Sequence, residues 1–162
     1  MTCAALTGAA LALCLGGAAA ATDEITGIAS VIDGRTIAIG GRTLRLADID
    51  VPTAGQTCER GGATYDCARE AGWALAERLG RHWVLCIERS ADTREVTPVT
   101  CYLGGRHGID VNAHMVRRGW AVADPSAGGA NYADAEAAAQ GERIGLWAGA
   151  FIHPAQFRAR RN

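Results

Sequence analysis

The chain has 162 residues, enough for one domain and at most two. Its 49% apolar and 20% charged residues make an ordinary globular balance. Sixteen basic against 17 acidic side chains leave a net charge of -1, which excludes an overall electrostatic pull towards nucleic acid. Every basic residue is Arg. Guanidinium forks suit carboxylates and phosphates, but in an Ala- and Gly-rich chain this reads first as compositional bias.

Residues 1–21 read as a signal peptide. Positions 4–21 are small, apolar and uncharged, and Ala18-Ala19-Ala20-Ala21 offers small-x-small cleavage sites before Thr22. The segment has no Lys or Arg at its start and is short for a membrane span, and Leu13 before Cys14 is too large for a lipoprotein site. Residues 25–32 are rich in β-branched side chains and run into Asp33-Gly34, a hairpin signal; 36–39 is a short strand, and Gly40-Gly41 turns it into 42–49, where Leu44 and Leu46 alternate with Thr43 and Arg45. These predict a three-stranded meander. Residues 51–66 are expected as a loop.

Residues 67–79 are predicted helical from Ala68, Ala71, Leu75 and Leu79, with Gly80 at the C-cap. Residues 82–88 are a strand with Trp83, Leu85 and Ile87 on one side, and 96–103 another, for which Pro98 predicts an edge position or an irregular start. A second helix runs from Asp110-Val111-Asn112 to Arg118, then a strand over 120–123, a Pro/Ser/Gly loop over 124–130, and a third helix over 132–144. The architecture expected is α+β: a five-stranded Greek-key barrel of OB type with three helices, over residues 22–150, followed by a C-terminal tail at 151–162.

Cys58, Cys67, Cys86 and Cys101 are an even set that fits an oxidising compartment, so a periplasmic or secreted location is expected. Their spacing favours Cys58–Cys67, worth about 2–3 kcal/mol on the chain-entropy model, and Cys86–Cys101 between neighbouring strands. Zinc is disfavoured because there is no Cys-x-x-Cys pair and no His at ligand spacing.

Several runs carry a family likeness. Val31-Ile32-Asp33-Gly34-x-Thr36, then Leu44-Arg45-Leu46-x-x-Ile49-Asp50-x-Pro52, then Arg69-Glu70-Ala71, resemble the thermonuclease (staphylococcal nuclease-like) family. So do Asp110-Val111-Asn112-x-x-Met115-Val116-Arg117-Arg118-Gly119-Trp120-Ala121 and the run from Glu136 to Gly145-Leu146-Trp147. The resemblance spans about residues 25–150 and implies an OB-fold barrel that cleaves phosphodiesters with Ca²⁺, carboxylates and two arginines. A hard cation needs oxygen ligands, a carboxylate can take the proton of the attacking water, and arginines neutralise charge growing on phosphoryl oxygens.

Carried over position by position, Arg45 stands for the first arginine, Asp50 for a metal-binding aspartate, and Asp33 for the Asp-Gly turn. The second metal carboxylate is replaced by Arg35, the general-base glutamate by Thr53, and the second arginine by Val96, with Arg94 two residues off. Losing one electrostatic stabiliser costs about 10²–10³ in rate and losing acid–base help about 10²–10⁴ more. Little or no nuclease activity is therefore expected, and no cofactor, Ca²⁺ entering only if the nuclease alternative holds. That alternative would recruit Asp48 or Glu95.

The structural alternatives are plainer. Arg45 and Asp50 can be an internal ion pair, and Asp33 can simply shape its turn. Arg35 beside Arg45 can make a metal-free anion pocket. His82, His107, His114 and His153 are expected as surface or core residues, Trp73, Trp83, Trp120 and Trp147 as core, and residues 158–161 as a solvated basic tail. The function expected is an exported, disulfide-stabilised binding or interaction module with a protein partner. A Ca²⁺-dependent nuclease and an accessory subunit of an envelope complex are the alternatives. Nucleic acid is disfavoured by net charge, and no membrane span is expected once the leader is removed.

Overall fold

The computed structural model describes residues 23–89, 96–124 and 132–161. The segments expected as a leader and, beyond Asp124, as a loop over 124–130 lie outside the described residues, as do the positions Arg94 and Glu95. Eleven short strands occur among them: β1 (Glu24–Ile28), β2 (Ser30–Val31), β3 (Thr36–Ile39), β4 (Arg42–Leu46), β5 (Ile49–Asp50), β6 (Thr57–Arg60), β7 (Ala63–Asp66), β8 (Trp83–Glu88), β9 (Thr97–Leu103), β10 (Ile109–Asp110) and β11 (Val122–Ala123). The helices are α1 (Cys67–Leu79), α2 (Val111–Arg117), α3 (Ala133–Glu142) and α4 (Pro154–Ala159), with a 3₁₀ turn at Gly145–Ala148.

One sheet runs β1-β8-β9-β4-β3-β2, with β10 added to β9. Its pairs are antiparallel except β4 with β9, where Arg45 faces Pro98. The sheet curls until β1 returns to β3. There a Cβ on Gly27 would lie 2.7 Å from Ile39 Cγ2, so only glycine permits that approach. This is the expected OB-like α+β fold, with four helices instead of three. The fourth lies in the segment expected as a tail, where Pro154 occupies the first helical turn.

The core lies between the inner face of the sheet and helices α1 and α2. Ile37, Leu44, Leu46 and Val99 meet Leu75, Leu79, Val111 and Met115, all buried. At about 1.5–3 kcal/mol for each fully buried aliphatic side chain, this cluster supplies the main drive for folding. A smaller cluster joins Cys58, Cys67 and Leu146 under Tyr65, Trp120 and Phe151.

Four local expectations change. Residues 25–32 are not one meander strand: they break at Ala29, and β1 pairs with β8, Ile28 facing Trp83. Residues 42–49 also break, because Asp48 takes φ 63 and turns the chain so that β5 pairs with β11 instead. Residues 51–66 are not wholly loop. They hold the β6–β7 hairpin, turned by Gly61 and Gly62 at φ 59 and 81, a conformation natural to glycine. Its strands are mostly exposed, so no apolar alternation announced them.

The fourth change concerns parity. On β8 the inward residues are Val84 and Cys86, and Trp83 points outward at 69% exposure. Trp73 is 58% exposed as well, so neither Trp is core. Size misled here: the smaller Val and Cys are the ones that fit between β8 and the helices. Trp120 and Trp147 are half-buried, Trp147 packing edge-on against Phe151 at 4.9 Å.

Both expected disulfides are present. Cys86 and Cys101 face each other directly in the β8–β9 ladder, with Cα atoms 4.0 Å apart. Cys58 on β6 bonds Cys67 at the start of α1, Cα atoms 5.7 Å apart, tying the hairpin to the helix. Among the described residues no helix is long and apolar enough to cross a membrane.

Candidate functional site

The β2–β3 turn with the start of β3, Arg45 of β4, residues 51–55 and the first turn of α1 line an open cleft of about 550 Å³. Local geometry places its side chains. Asp33 Oδ1 accepts from the Arg35 backbone N–H at 2.8 Å, closing the turn that presents Arg35. Gly34 backs onto α1 so closely that a Cβ there would sit 2.9 Å from Ala71 Cβ, which fixes the turn against the helix. Asp66 caps α1 by accepting from the Arg69 N–H at 3.0 Å. Arg45 projects from β4 opposite Thr36 and is exposed.

Behind Arg35 lies Asp50, 2% exposed. A buried carboxylate is expensive unless its oxygens are engaged, and here both are. Arg158 of α4 grips them with two parallel bonds, Nη1 to Oδ1 and Nη2 to Oδ2, each 2.8 Å. Arg35 Nη1 stands 3.2 Å from Oδ1 and also donates to the Ile49 carbonyl at 3.3 Å. The Val51 N–H donates to Oδ1 at 3.0 Å. Burial lowers the Arg35 proton affinity, Asp50 opposes that, and the neighbouring Arg45 and Arg158 reinforce it. Arg158 holds its proton more tightly than a free guanidinium because of its bonds to Asp50.

The helix α4 is itself anchored over the cleft. Arg161 Nη1 donates to the Ala54 carbonyl at 2.8 Å, and the fully buried Gln56 donates to the Ile152 carbonyl at 2.7 Å while accepting from the Thr53 N–H at 3.3 Å. The 51–56 segment and the C-terminal segment therefore hold each other. Residues 158–161 are thus not a solvated tail: Arg158 is the principal partner of Asp50.

Of the residues singled out from the sequence, Asp33, Arg35, Arg45 and Thr53 line this cleft, and Asp50 lies against Arg35 without lining it. Val96 does not join them. It precedes β9, two residues before Pro98, which pairs with Arg45. Asp48 faces away, paired with Arg89 at 3.3 Å beside another cleft that Tyr102, Asp110 and Tyr132 border. There burial, with Asp110 beside it, pushes the Tyr132 hydroxyl well above its ordinary pKa. The four histidines form no metal set: among the described residues no three His, Cys, Asp or Glu side chains gather as ligands.

The place at the site of three residues escaped sequence reading: Arg158, Arg69 and Trp73. Arg69 lines the cleft, and its guanidinium lies 5.0 Å from the centre of the exposed Trp73 ring. Their i, i+4 spacing on α1 was the available signal. For Arg158, it was Pro154 at a helix start four residues earlier.

The residues present do not fit the Ca²⁺ ion that the family resemblance implies. A calcium site needs several oxygens converging on one point. Asp50 turns both of its oxygens to guanidinium groups, and Arg35 brings a positive charge to a position where a second carboxylate would be needed. Four arginines, Arg35, Arg45, Arg69 and Arg158, meet three aspartates, Asp33, Asp50 and Asp66, so the site carries a surplus of one positive charge.

Comparison with known proteins agrees with the geometry of the fold. The family model described as staphylococcal nuclease homologue matches residues 43–149. The succinoglycan biosynthesis protein ExoI of Rhizobium meliloti (strain 1021) is 34% identical over 131 residues, covering 80% of this chain and 68% of that protein.

Proposed function

The chain belongs to the staphylococcal nuclease homologue family, and from that premise we propose that it is a non-nucleolytic member whose cleft binds an anion without a metal. The observation that carries this reading is the double guanidinium clamp on Asp50. With the carboxylate neutralised from inside the protein, the cleft presents Arg35, Arg45 and Arg69 to whatever enters. Arginine forks recognise phosphate and carboxylate oxygens directly. Thr53 has no carboxylate with which to take a proton from water, so a bound phosphodiester would be held, not cut.

The module acts as a binding or interaction domain outside the cytoplasm. Two disulfides support an oxidising compartment, the periplasm or the medium. The partner carries an acidic or phosphorylated group, and the exposed Trp73 face at the rim gives that group's neighbour something to pack on.

A second reading, an accessory subunit of an envelope assembly that makes a glycan, is supported by the name of the relative, a succinoglycan biosynthesis protein. Both readings keep the cleft as the contact point.

The test is direct. Purified protein is incubated with DNA and with RNA in Ca²⁺, and its thermal unfolding is followed with and without the ion. No cleavage and no Ca²⁺-dependent shift are expected. Cleavage that a chelator stops and that Asp50→Ala abolishes would overturn the proposal and restore the nuclease reading.

A further inference from the structure

We propose that a second cleft, between α1 and α2, binds a phosphate monoester carrying an apolar organic group. This cleft has a volume of about 360 Å³ and shares no residue with the Asp50 site. Arg78 reaches it from α1, and His114 and Arg118 from the last turn of α2 and its cap. Ala74, Met115 and Trp120 line the rest.

The cations meet there without an internal reason. Placing one arginine at a helix C-terminus is common, because exposed carbonyls welcome it. Here those carbonyls are already used: the N–H groups of Arg118, Gly119 and Trp120 donate to the carbonyls of His114, Val116 and Met115. Helix-end chemistry also does not account for Arg78, which comes from a different helix. Its Nε–H is buried and has no hydrogen-bond acceptor among the described residues. A buried donor left unpaired is unfavourable, so a turn of the Arg78 side chain that brings its guanidinium to an entering acceptor would relieve a penalty.

The imidazole records the same imbalance. Burial, Arg78 and Arg118, in that order, lower the His114 pKa below its ordinary 6.5. Glu77 borders the cleft but is not among the groups that shift His114. Two guanidinium groups and a depressed imidazole thus face one space that a single carboxylate, Glu77, borders, which leaves a surplus of positive charge. An entering dianion would satisfy the guanidinium donors and reverse the depression of His114, drawing a proton onto its ring.

The ligand class follows from the geometry and the lining. One guanidinium fork satisfies a planar carboxylate. Three donors arriving from two helices suit the three terminal oxygens of a phosphate monoester. The apolar wall of Met115 and Trp120 would be wasted on inorganic phosphate, and it gives the organic substituent a surface to cover.

The experiment titrates the intact protein with phenyl phosphate, inorganic phosphate and benzoate, following the His114 ring signals by NMR and the affinity by calorimetry. Phenyl phosphate is expected to move the His114 signals and to bind best of the three. Arg118→Gln, at an exposed position, and Arg78→Gln are each expected to weaken it about fivefold or more. Arg45→Gln, in the other cleft, is expected to leave the His114 response unchanged, which separates the two sites. His114 signals that stay still with all three probes would overturn the proposal. So would benzoate binding as tightly as phenyl phosphate, or a His114 response that survives Arg118→Gln intact.

Discussion

At the N-terminal end of α1, the cleft above Asp50 sets guanidinium groups against carboxylates, and the buried charge is matched inside the protein. Along the C-terminal half of the same helix, Arg78 borders one cleft with His114 and Arg118, and burial, followed by both arginines, lowers the His114 pKa. Similar side chains thus serve different ends. In the first cleft both oxygens of Asp50 are held by Arg158, and Arg35 adds a second guanidinium contact. In the second, two arginines and an imidazole converge with Glu77 as the bordering carboxylate, and none of the ion pairs or side-chain hydrogen bonds seen in the first cleft ties them together among the described residues. The lesson is that an arginine cluster says little by itself. What decides its role is whether the protein supplies the opposing charge.

The sharpest way to break the first half of this comparison is to remove the shared anion. Asp50→Ala leaves Arg35 and Arg158 facing each other without a counter-charge. Breaking a buried pair from one side costs about 3–5 kcal/mol, because the orphaned charge stays desolvated. Arg35 keeps only 20% and Arg158 37% of its side-chain exposure, so partial hydration moderates the loss to about 3 kcal/mol. Urea unfolding of the variant at neutral pH measures it. If Asp50 were a site kept for a cation, the substitution would relieve repulsion among acids and stability would hold or rise.

Arg158→Ala gives a smaller loss. Arg35 still stands 3.2 Å from Asp50, and water can reach the vacated side, so the carboxylate is not left bare. Two charge-assisted bonds to a half-exposed arginine predict about 1–2 kcal/mol by the same unfolding measurement. The 51–56 segment should also loosen, because α4 is what holds it through Arg161 and Gln56. Faster amide exchange at Gln56, whose N–H bonds the Thr53 carbonyl, would report that; unchanged exchange would mean that α4 is not the latch.

These outcomes bear on what was legible beforehand. The barrel was readable because its signals are local and cumulative: the Asp33-Gly34 turn, the Leu44/Leu46 alternation, and the Cys86 and Cys101 positions that pair in one ladder. That Arg35 and Thr53 would share one site was readable because the family pattern has a fixed spacing. The partner of Asp50 was not. Arg158 lies 108 residues away, on a six-residue helix too short to show a period, and no local rule ties such a segment to a carboxylate in β5. Trp83 failed for another reason. Alternation gives two faces to a strand but does not say which is inward, and the bulkier face was the wrong choice. The second cleft combines two helices, Arg78 from one and His114 with Arg118 from the other, so only the packing of α1 on α2 reveals it.

The subtlest prediction tests the second half of the comparison through pH. His114 has a folded pKa below the 6.5 of an unfolded chain, lowered by burial and by Arg78 and Arg118. The groups facing it are Arg78 and Glu77 on α1 and Arg118 at the end of its own helix. When the folded value lies below the unfolded one, the unfolded chain takes up the proton first as pH falls. Stability is therefore complete above the unfolded pKa and declines as pH falls from there towards the folded value. Unfolding free energies measured between about pH 7.5 and pH 5 should fall less steeply for His114→Gln than for the native chain, since Gln has nothing to titrate. Adding phenyl phosphate should flatten the native curve in the same interval and leave the variant's slope nearly unchanged, because a bound dianion makes the protonated ring welcome. Identical slopes for the two proteins without ligand would mean that the arginines do not act on His114, and the contrast between the two ends of α1 would collapse.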